Sequence, residues 1–188
     1  VADRDNLERT FGRIIRGMAY PDSGIRKMTA GGTYRDIKNY LTELDIAYAR
    51  TLGGDNDSFL MPEDFHAWMP TAHHNNPEIF DYIDKFNAID TSTPSGRASK
   101  YPRLFYIWGH SYEFDRNDNW DRIEEICKRL GGKDDVYYAT NIEIYECFEA
   151  YQRLIYSADG RRIYNPSVRS VWLDVDGTVY EINPGEAI

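Results

Sequence analysis

The residues best suited to chemistry lie where one apolar run ends. Residues 104–108, Leu-Phe-Tyr-Ile-Trp, predict a buried parallel strand, because a strand covered on both faces is apolar along its length. His110 follows, with Ser111, Glu113 and Asp115 close behind. Catalytic residues of α/β sheets collect beyond the carboxyl ends of strands, and such neighbours can orient an imidazole as a general acid or base. We therefore predict that His110 is catalytic, with a structural imidazole as the alternative.

A second candidate is the adjacent pair His73-His74. Neighbouring side chains point in different directions on a regular backbone, whereas metal ligands are usually three or four residues apart on a helix or come from separate elements. The pair is therefore interpreted as a substrate contact or a plain loop. Asp134-Asp135 follows a Gly-Gly-Lys step and is interpreted as a solvated turn. Spacing predicts no metal ligands in this chain.

Alternating helical and strand patterns must position these residues. We predict helices at 3–11, 34–44, 78–86, 120–130 and 141–155, and strands at 14–20, 46–49, 104–108, 136–139, 162–165, 168–175 and 178–182. The alternation predicts an α/β fold with a parallel sheet. Asp176-Gly177 between the last two strands predicts a C-terminal β-hairpin appendage. Residues 50–96 carry no regular pattern apart from one helix, which is typical of a functional connection.

Composition limits the function classes. The 188 residues predict one domain spanning 1–188, and a net charge of -9 argues against a nucleic-acid partner. No apolar stretch approaches the roughly 18 residues that span a bilayer, so we expect a soluble protein without a membrane partner. Cys127 and Cys147 belong to no metal-binding pattern and are interpreted as reduced thiols. The compartment stays open, with the cytoplasm favoured.

Seven short strings, in their order and spacing, give the chain a resemblance to a known family. Together they are similar to the carboxyl-terminal portion of the catalytic domain of bacterial polysaccharide deacetylases of the NodB-like carbohydrate esterase group. The strings are RGMAYP (16–21), YART (48–51), PEDF (62–65), WMPT (68–71), WGHSYEFD (108–115), NW (119–120) and YATNIEIY (138–145). The resemblance covers nearly the whole chain.

The resemblance implies a fold, an activity and roles for residues. It implies part of a distorted TIM-like (β/α) barrel with parallel strands. The activity is that of a metal-dependent hydrolase, with zinc or a similar divalent metal, that removes acetyl groups from N- or O-acetylated sugars or polysaccharides. His110 falls on the histidine that acts as general acid. Tyr20 and Pro21 fall on the motif that lines the groove and contacts the substrate near the oxyanion.

The chain also departs from the family pattern. Ala19 stands where many members carry Arg, and Asp22-Ser23 replaces the usual aromatic residue. The early Asp-Asp motif and the H-x-x-x-H pair that hold the metal have no counterpart here, since Asp134-Asp135 lies in the wrong place. We therefore expect the metal ligands and first strands upstream of Val1, and this chain alone to be inactive. An incomplete barrel also favours a homo-oligomer.

Two further hypotheses stay open. A non-catalytic carbohydrate-binding or structural relative would use aromatic rings as stacking platforms, namely those of Trp68, Trp108, Tyr112 and Trp120. A different amidohydrolase on the same fold would use His73 or His74. For the leading hypothesis, the predicted substrate-binding residues are Tyr20, Pro21, Trp68, His73, His74, Trp108 and Tyr112.

Overall fold

The structure is a computed structural model, and it describes residues 1–22, 24–25, 32–54, 57–89 and 102–188. By internal contacts the chain forms two compact units. The described residues of the first unit lie in 1–89 and 102–137, and those of the second in 138–188. The prediction of one domain stays a prediction, because such a division does not decide whether the units fold independently. Part of the irregular region predicted at 50–96 lies outside the described residues.

Local sequence signals explain most of the helices. Within the described residues these are α1 (Ala2–Phe11), α2 (Tyr34–Glu43), α3 (Ile79–Asn87), α4 (Tyr112–Asn117), α5 (Trp120–Leu130) and α6 (Asn141–Gln152), with a 3-10 turn at Phe65–Ala67. Helix α1 stops before Gly12, which adopts the left-handed conformation with φ of 63°. Thr33 caps α2, and its N–H donates in return to Asp36 Oδ2 at 2.8 Å. Helix α6 ends three residues earlier than predicted, and α4 was not predicted. None of these helices is long and apolar enough to cross a membrane.

The strands are short and pair two by two. They are β1 (Gly17–Ala19), β2 (Tyr48–Arg50), β3 (Ala72–His73), β4 (Ile107–Trp108), β5 (Ile155–Tyr156), β6 (Ile163–Tyr164), β7 (Val171–Val175) and β8 (Thr178–Ile182). The pairs β1–β2 and β3–β4 are parallel, and β5–β6 and β7–β8 are antiparallel. The predicted α/β class is confirmed. The described residues contain no closed barrel, and residues 136–139 form no strand.

Two helices and the strands beside them build the core of the first unit. Ile79 and Ile83 of α3 are fully buried against Ile126 of α5. Phe59 joins this cluster, and its carbonyl oxygen accepts a hydrogen bond from the Leu104 N–H at 2.9 Å. The core therefore holds the segment that leads into β4, and with it the position of His110.

The second unit is organised around a hairpin and one buried amide. Asp176 and Gly177 both have positive φ, 53° and 85°, as a two-residue β-hairpin turn requires, so the predicted appendage is confirmed. The Asn165 side chain is fully buried. Its amide nitrogen donates to the carbonyl oxygens of Arg169 at 2.7 Å and Ile182 at 2.9 Å, and its oxygen accepts from the Ser167 hydroxyl at 2.6 Å. One side chain thus joins β8 to the loop before β7.

Replacing Asn165 should destabilise this unit. Asn165→Ala removes the amide donor from the carbonyl oxygens of Arg169 and Ile182, and we expect a loss of about 3 kcal/mol in the free energy of unfolding. Urea denaturation followed by circular dichroism measures it. Asn6→Ala, on the exposed side of α1, serves as the control and should change stability by less than about 0.5 kcal/mol. Equal effects of the two substitutions would contradict the role of Asn165.

Candidate functional site

The register of β3 and β4 brings the predicted site residues together. Ala72 pairs with Ile107, and His73 pairs with Trp108. The N–H of His74 then donates to the Trp108 carbonyl oxygen at 2.9 Å. Since the two strands are parallel, both end at the same edge of the sheet. The histidine pair therefore lies beside the segment that carries His110.

Helix α4 completes the site by turning Glu113 back toward the strand ends. Oε2 of Glu113 lies 2.6 Å from Nε2 of His74 and 3.2 Å from Nε2 of His73. The backbone N–H of His110 donates to the same oxygen at 3.3 Å, and Nδ1 of His110 lies 3.5 Å from Oε1. We call these four residues, His73, His74, His110 and Glu113, the His–Glu cluster.

The cluster takes three of the four histidines in the chain. The fourth, His66, lies elsewhere, and its Nε2 is 2.6 Å from the Ile46 carbonyl oxygen. The rings of His73 and His74 stack with their centroids 4.3 Å apart. The carboxylate of Glu113 is thus the common neighbour of all three imidazoles.

Hydrogen bonds indicate where protons lie in the cluster. The Asn75 N–H donates to Nδ1 of His73 at 3.1 Å, so the proton of a neutral His73 ring is on Nε2, which faces Glu113. Nδ1 of His74 is buried and has no partner among the described residues, while its Nε2 meets Glu113. Burial raises the pKa of Glu113, but hydrogen bonds from His110 and His74 and the charges of His73 and His74 outweigh it. The pKa of Glu113 therefore lies below its ordinary value, and the carboxylate is ionised.

The resemblance implies a divalent metal, and the cluster can be tested against it. Distances alone fit a cation, because ligand atoms of His73, His110 and Glu113 lie within 4.8 Å of one another. The hydrogen bonds do not fit. A metal-bound histidine donates through its other ring nitrogen, whereas Nδ1 of His73 accepts from Asn75. With the Asn75 hydrogen bond in place, His73 does not fit the role of a metal ligand.

Exposure separates His110 from the other imidazoles. The His110 side chain is 50% exposed, whereas that of His74 is 3% exposed. The exposed ring of Tyr112 lies beside His110, with centroids 5.2 Å apart. A molecule in solvent can therefore reach His110 and Tyr112, whereas the His74 ring is enclosed by protein.

Of the other predicted substrate-binding residues, some lie beside the His–Glu cluster and others lie away from it. Trp108 contacts the cluster, with its ring 4.6 Å from that of His73. Trp68 is 1% exposed and packs against Tyr48, Phe65 and Tyr106, which leaves no ring face for a sugar.

Tyr20 and Pro21 follow β1. The Tyr20 hydroxyl donates to the His66 carbonyl oxygen at 2.9 Å, and burial, with the nearby charge of Asp64, raises the pKa of Tyr20 to about 12. Pro21 is exposed. Within the described residues, no hydrogen bond or ring contact joins Tyr20 to the His–Glu cluster.

Sequence reasoning named Glu113 as a partner of His110 but missed its contacts with His73 and His74, and it missed Arg50. The contacts with His73 and His74 join segments about 40 residues apart, so no local spacing could show them. Arg50, at the end of β2, places its guanidinium 4.5 Å from the centre of the Trp108 ring. Its sequence context, Tyr-Ala-Arg, carries no signal of that contact.

Comparison with known proteins identifies no relative. The chain matches no family model, no curated protein and no solved structure. The function is therefore argued from the geometry of the site and from the resemblance in the sequence.

Gly109 leaves no room for a side chain beside His74. A Cβ there would overlap ring atoms Cδ2 and Nε2 of His74, and the second of these meets Glu113. We expect Gly109→Ala to displace His74 and to lower the free energy of unfolding by about 1–3 kcal/mol, measured by urea denaturation. Gly32→Ala is the control, since a Cβ at Gly32 meets nothing within 4 Å. A Gly109→Ala protein as stable as this control would argue against the tight contact.

The lowered pKa of Glu113 also predicts how stability depends on pH. Ionised Glu113 stabilises the fold above the ordinary carboxyl pKa of 4.5, and this contribution is lost as pH falls through the lower pKa of the folded state. Thermal melting of the wild type and of Glu113→Gln should therefore differ most above pH 4.5 and converge as the pH falls below it. The same substitution at the exposed Glu124 of α5 is the matched control. A Glu113→Gln difference that does not change with pH would refute the assignment.

Proposed function

We propose that this chain belongs to a hydrolase that removes acetyl groups from N- or O-acetylated sugars, with His110 as the general acid. The main support is the convergence of His73, His74 and His110 on Glu113 at the carboxyl ends of β3 and β4. In α/β proteins this edge of the sheet is where catalytic residues collect. The resemblance to polysaccharide deacetylases supplies the substrate class.

The proposed role of His110 follows from the chemistry of amide cleavage. Water adds its oxygen to the acetyl carbon, and the C–N bond then breaks to leave acetate and an amine. An amine leaves readily only when its nitrogen takes up a proton as the bond breaks. His110 gives that proton, because it is the one imidazole of the cluster that is half exposed. The carboxylate of Glu113 stabilises the protonated imidazole and holds its orientation.

The activation of water is not assigned to any residue described above. The resemblance implies a divalent metal, zinc or similar, for that step. The His–Glu cluster, as its hydrogen bonds stand, does not fit such a metal. We likewise propose the distorted TIM-like barrel as the complete fold. The two parallel pairs β1–β2 and β3–β4 support this proposal.

Acetate release tests the function. The protein expressed from its full reading frame is incubated with N-acetylglucosamine oligomers, with and without zinc or cobalt, and free acetate is measured. We expect metal-dependent release, and we expect His110→Ala to lower turnover by about 10²–10⁴. His66→Ala is the matched control, since His66 lies outside the cluster. Its turnover per folded protein should match that of the wild type. Unchanged turnover in His110→Ala would refute the acid role.

A second candidate is glycan binding without hydrolysis. It is favoured by two exposed rings close to the site, Tyr112 at 55% and Trp120 at 48% exposure. Aromatic rings of this kind stack on sugars as well as on protein. The same acetate assay, run beside calorimetric titration with the oligomers, separates the candidates. Binding with no acetate release would support the binding module over the hydrolase.

A further inference from the structure

The guanidinium of Arg50 has no charged partner in the part of the chain that the structure describes. It forms no hydrogen bond or ion pair there, and its one contact of note is with the ring of Trp108, 4.5 Å away. The chain holds 31 acidic residues against 22 Lys and Arg. Acidic side chains are thus abundant, yet none in the described residues contacts the half-buried Arg50. Its guanidinium donors are therefore available to an anion from outside.

The backbone of Arg50 is fixed on both sides. Arg50 pairs with Ala19 of β1, and its carbonyl oxygen accepts from the Tyr20 N–H at 2.9 Å. On the other side it forms a parallel bridge with Trp68, a fully buried residue. The side chain therefore extends from a fixed strand end and packs against the indole. Binding a ligand should then cost Arg50 little conformational entropy.

Trp108 places Arg50 beside the His–Glu cluster. The same indole contacts the ring of His73 at 4.6 Å and that of His110 at 6.0 Å. The Glu113 oxygens contact the imidazoles and form no ion pair with Arg50. The indole Nε1 of Trp108 is buried without an acceptor among the described residues. Beside the cluster, the guanidinium of Arg50 therefore presents unpaired N–H donors, and the Trp108 ring supports it.

We propose that Arg50 and Trp108 form a carboxylate-binding subsite next to the His–Glu cluster. A guanidinium presents parallel N–H groups that match the two oxygens of a carboxylate. Within the proposed function, this group is either the acetate that the reaction releases or an acid group on the sugar. The source of the carboxylate rests on the proposed function, but binding can be measured without turnover.

The subsite is tested by nuclear magnetic resonance. The indole N–H resonance of Trp108, assigned with Trp108→Phe, is followed during titration with sodium acetate or glucuronate. Acetamide and glucose are the neutral controls. We expect a saturable shift with at least one acid and none with its neutral counterpart. A shift with acetate identifies the product as the ligand, and a shift with glucuronate alone identifies an acidic sugar.

Variants assign the shift to the guanidinium. Arg50→Met keeps an apolar cover on Trp108 and removes the charge, so we expect binding at least tenfold weaker. Arg50→Lys keeps one charge without the planar pair of donors and should be intermediate. Arg35→Met, on the exposed side of α2, should bind as the wild type does. Unchanged affinity in Arg50→Met, or no wild-type shift up to about 100 mM acid, would overturn the proposal.

The outcome is independent of the acetate assay. If no acetate is released but the shift depends on Arg50, the subsite stands and the hydrolase proposal fails. If acetate is released and the shift is absent, the hydrolase proposal stands and the subsite proposal fails.

Discussion

The carboxylate of Glu113 is the interaction on which the site depends. Glu113 lies on α4, and its two oxygens contact the ends of two strands, His73 and His74 at the end of β3 and His110 after β4. The strands themselves contribute little, because β3 and β4 pair over only two residues each. A parallel pair of that length has few hydrogen bonds to hold it. The contacts of Glu113 with the three histidines therefore add to the few hydrogen bonds that hold the two strand ends together.

Helix α5 fixes the other side of the same arrangement. Arg122 donates through Nε to the His74 carbonyl oxygen at 2.9 Å and through Nη2 to that of Asn76 at 2.6 Å. These bonds satisfy the backbone of the turn after β3, which would otherwise be free to move. Ile126, one turn later on α5, anchors the helix in the core. Packing of α3 against α5 thus determines where the histidine pair lies, and Glu113 determines which way its rings face.

Sequence reasoning found the position of His110 and the C-terminal hairpin because both rest on local signals. An apolar run that ends in Gly-His marks a strand end, and Asp176-Gly177 fits a turn that needs two positive φ angles. The histidine pair was harder. Neighbouring side chains diverge on a regular strand, but β3 ends at His73, so His74 lies on the turn and its ring stacks on that of His73. A tertiary contact, the carboxylate of Glu113, then selects this arrangement. Helix α4 was not predicted because its six residues are too few for a periodic pattern. The burial of Trp68 was not predicted because it depends on rings from other segments of the chain.

The three imidazoles around Glu113 are not equivalent. The nearest carboxylate oxygen of Glu113 lies 2.6 Å from His74, 3.2 Å from His73 and 3.5 Å from His110. His74 is almost fully buried, and its Nδ1 has no hydrogen-bond partner among the described residues. His73 is held from its other side by the Asn75 N–H, which donates to its Nδ1. The ring of His110 is half exposed and makes the longest of the three contacts. The two inner rings and Glu113 therefore form a fixed base, and His110 is the ring of the cluster that solvent reaches most easily.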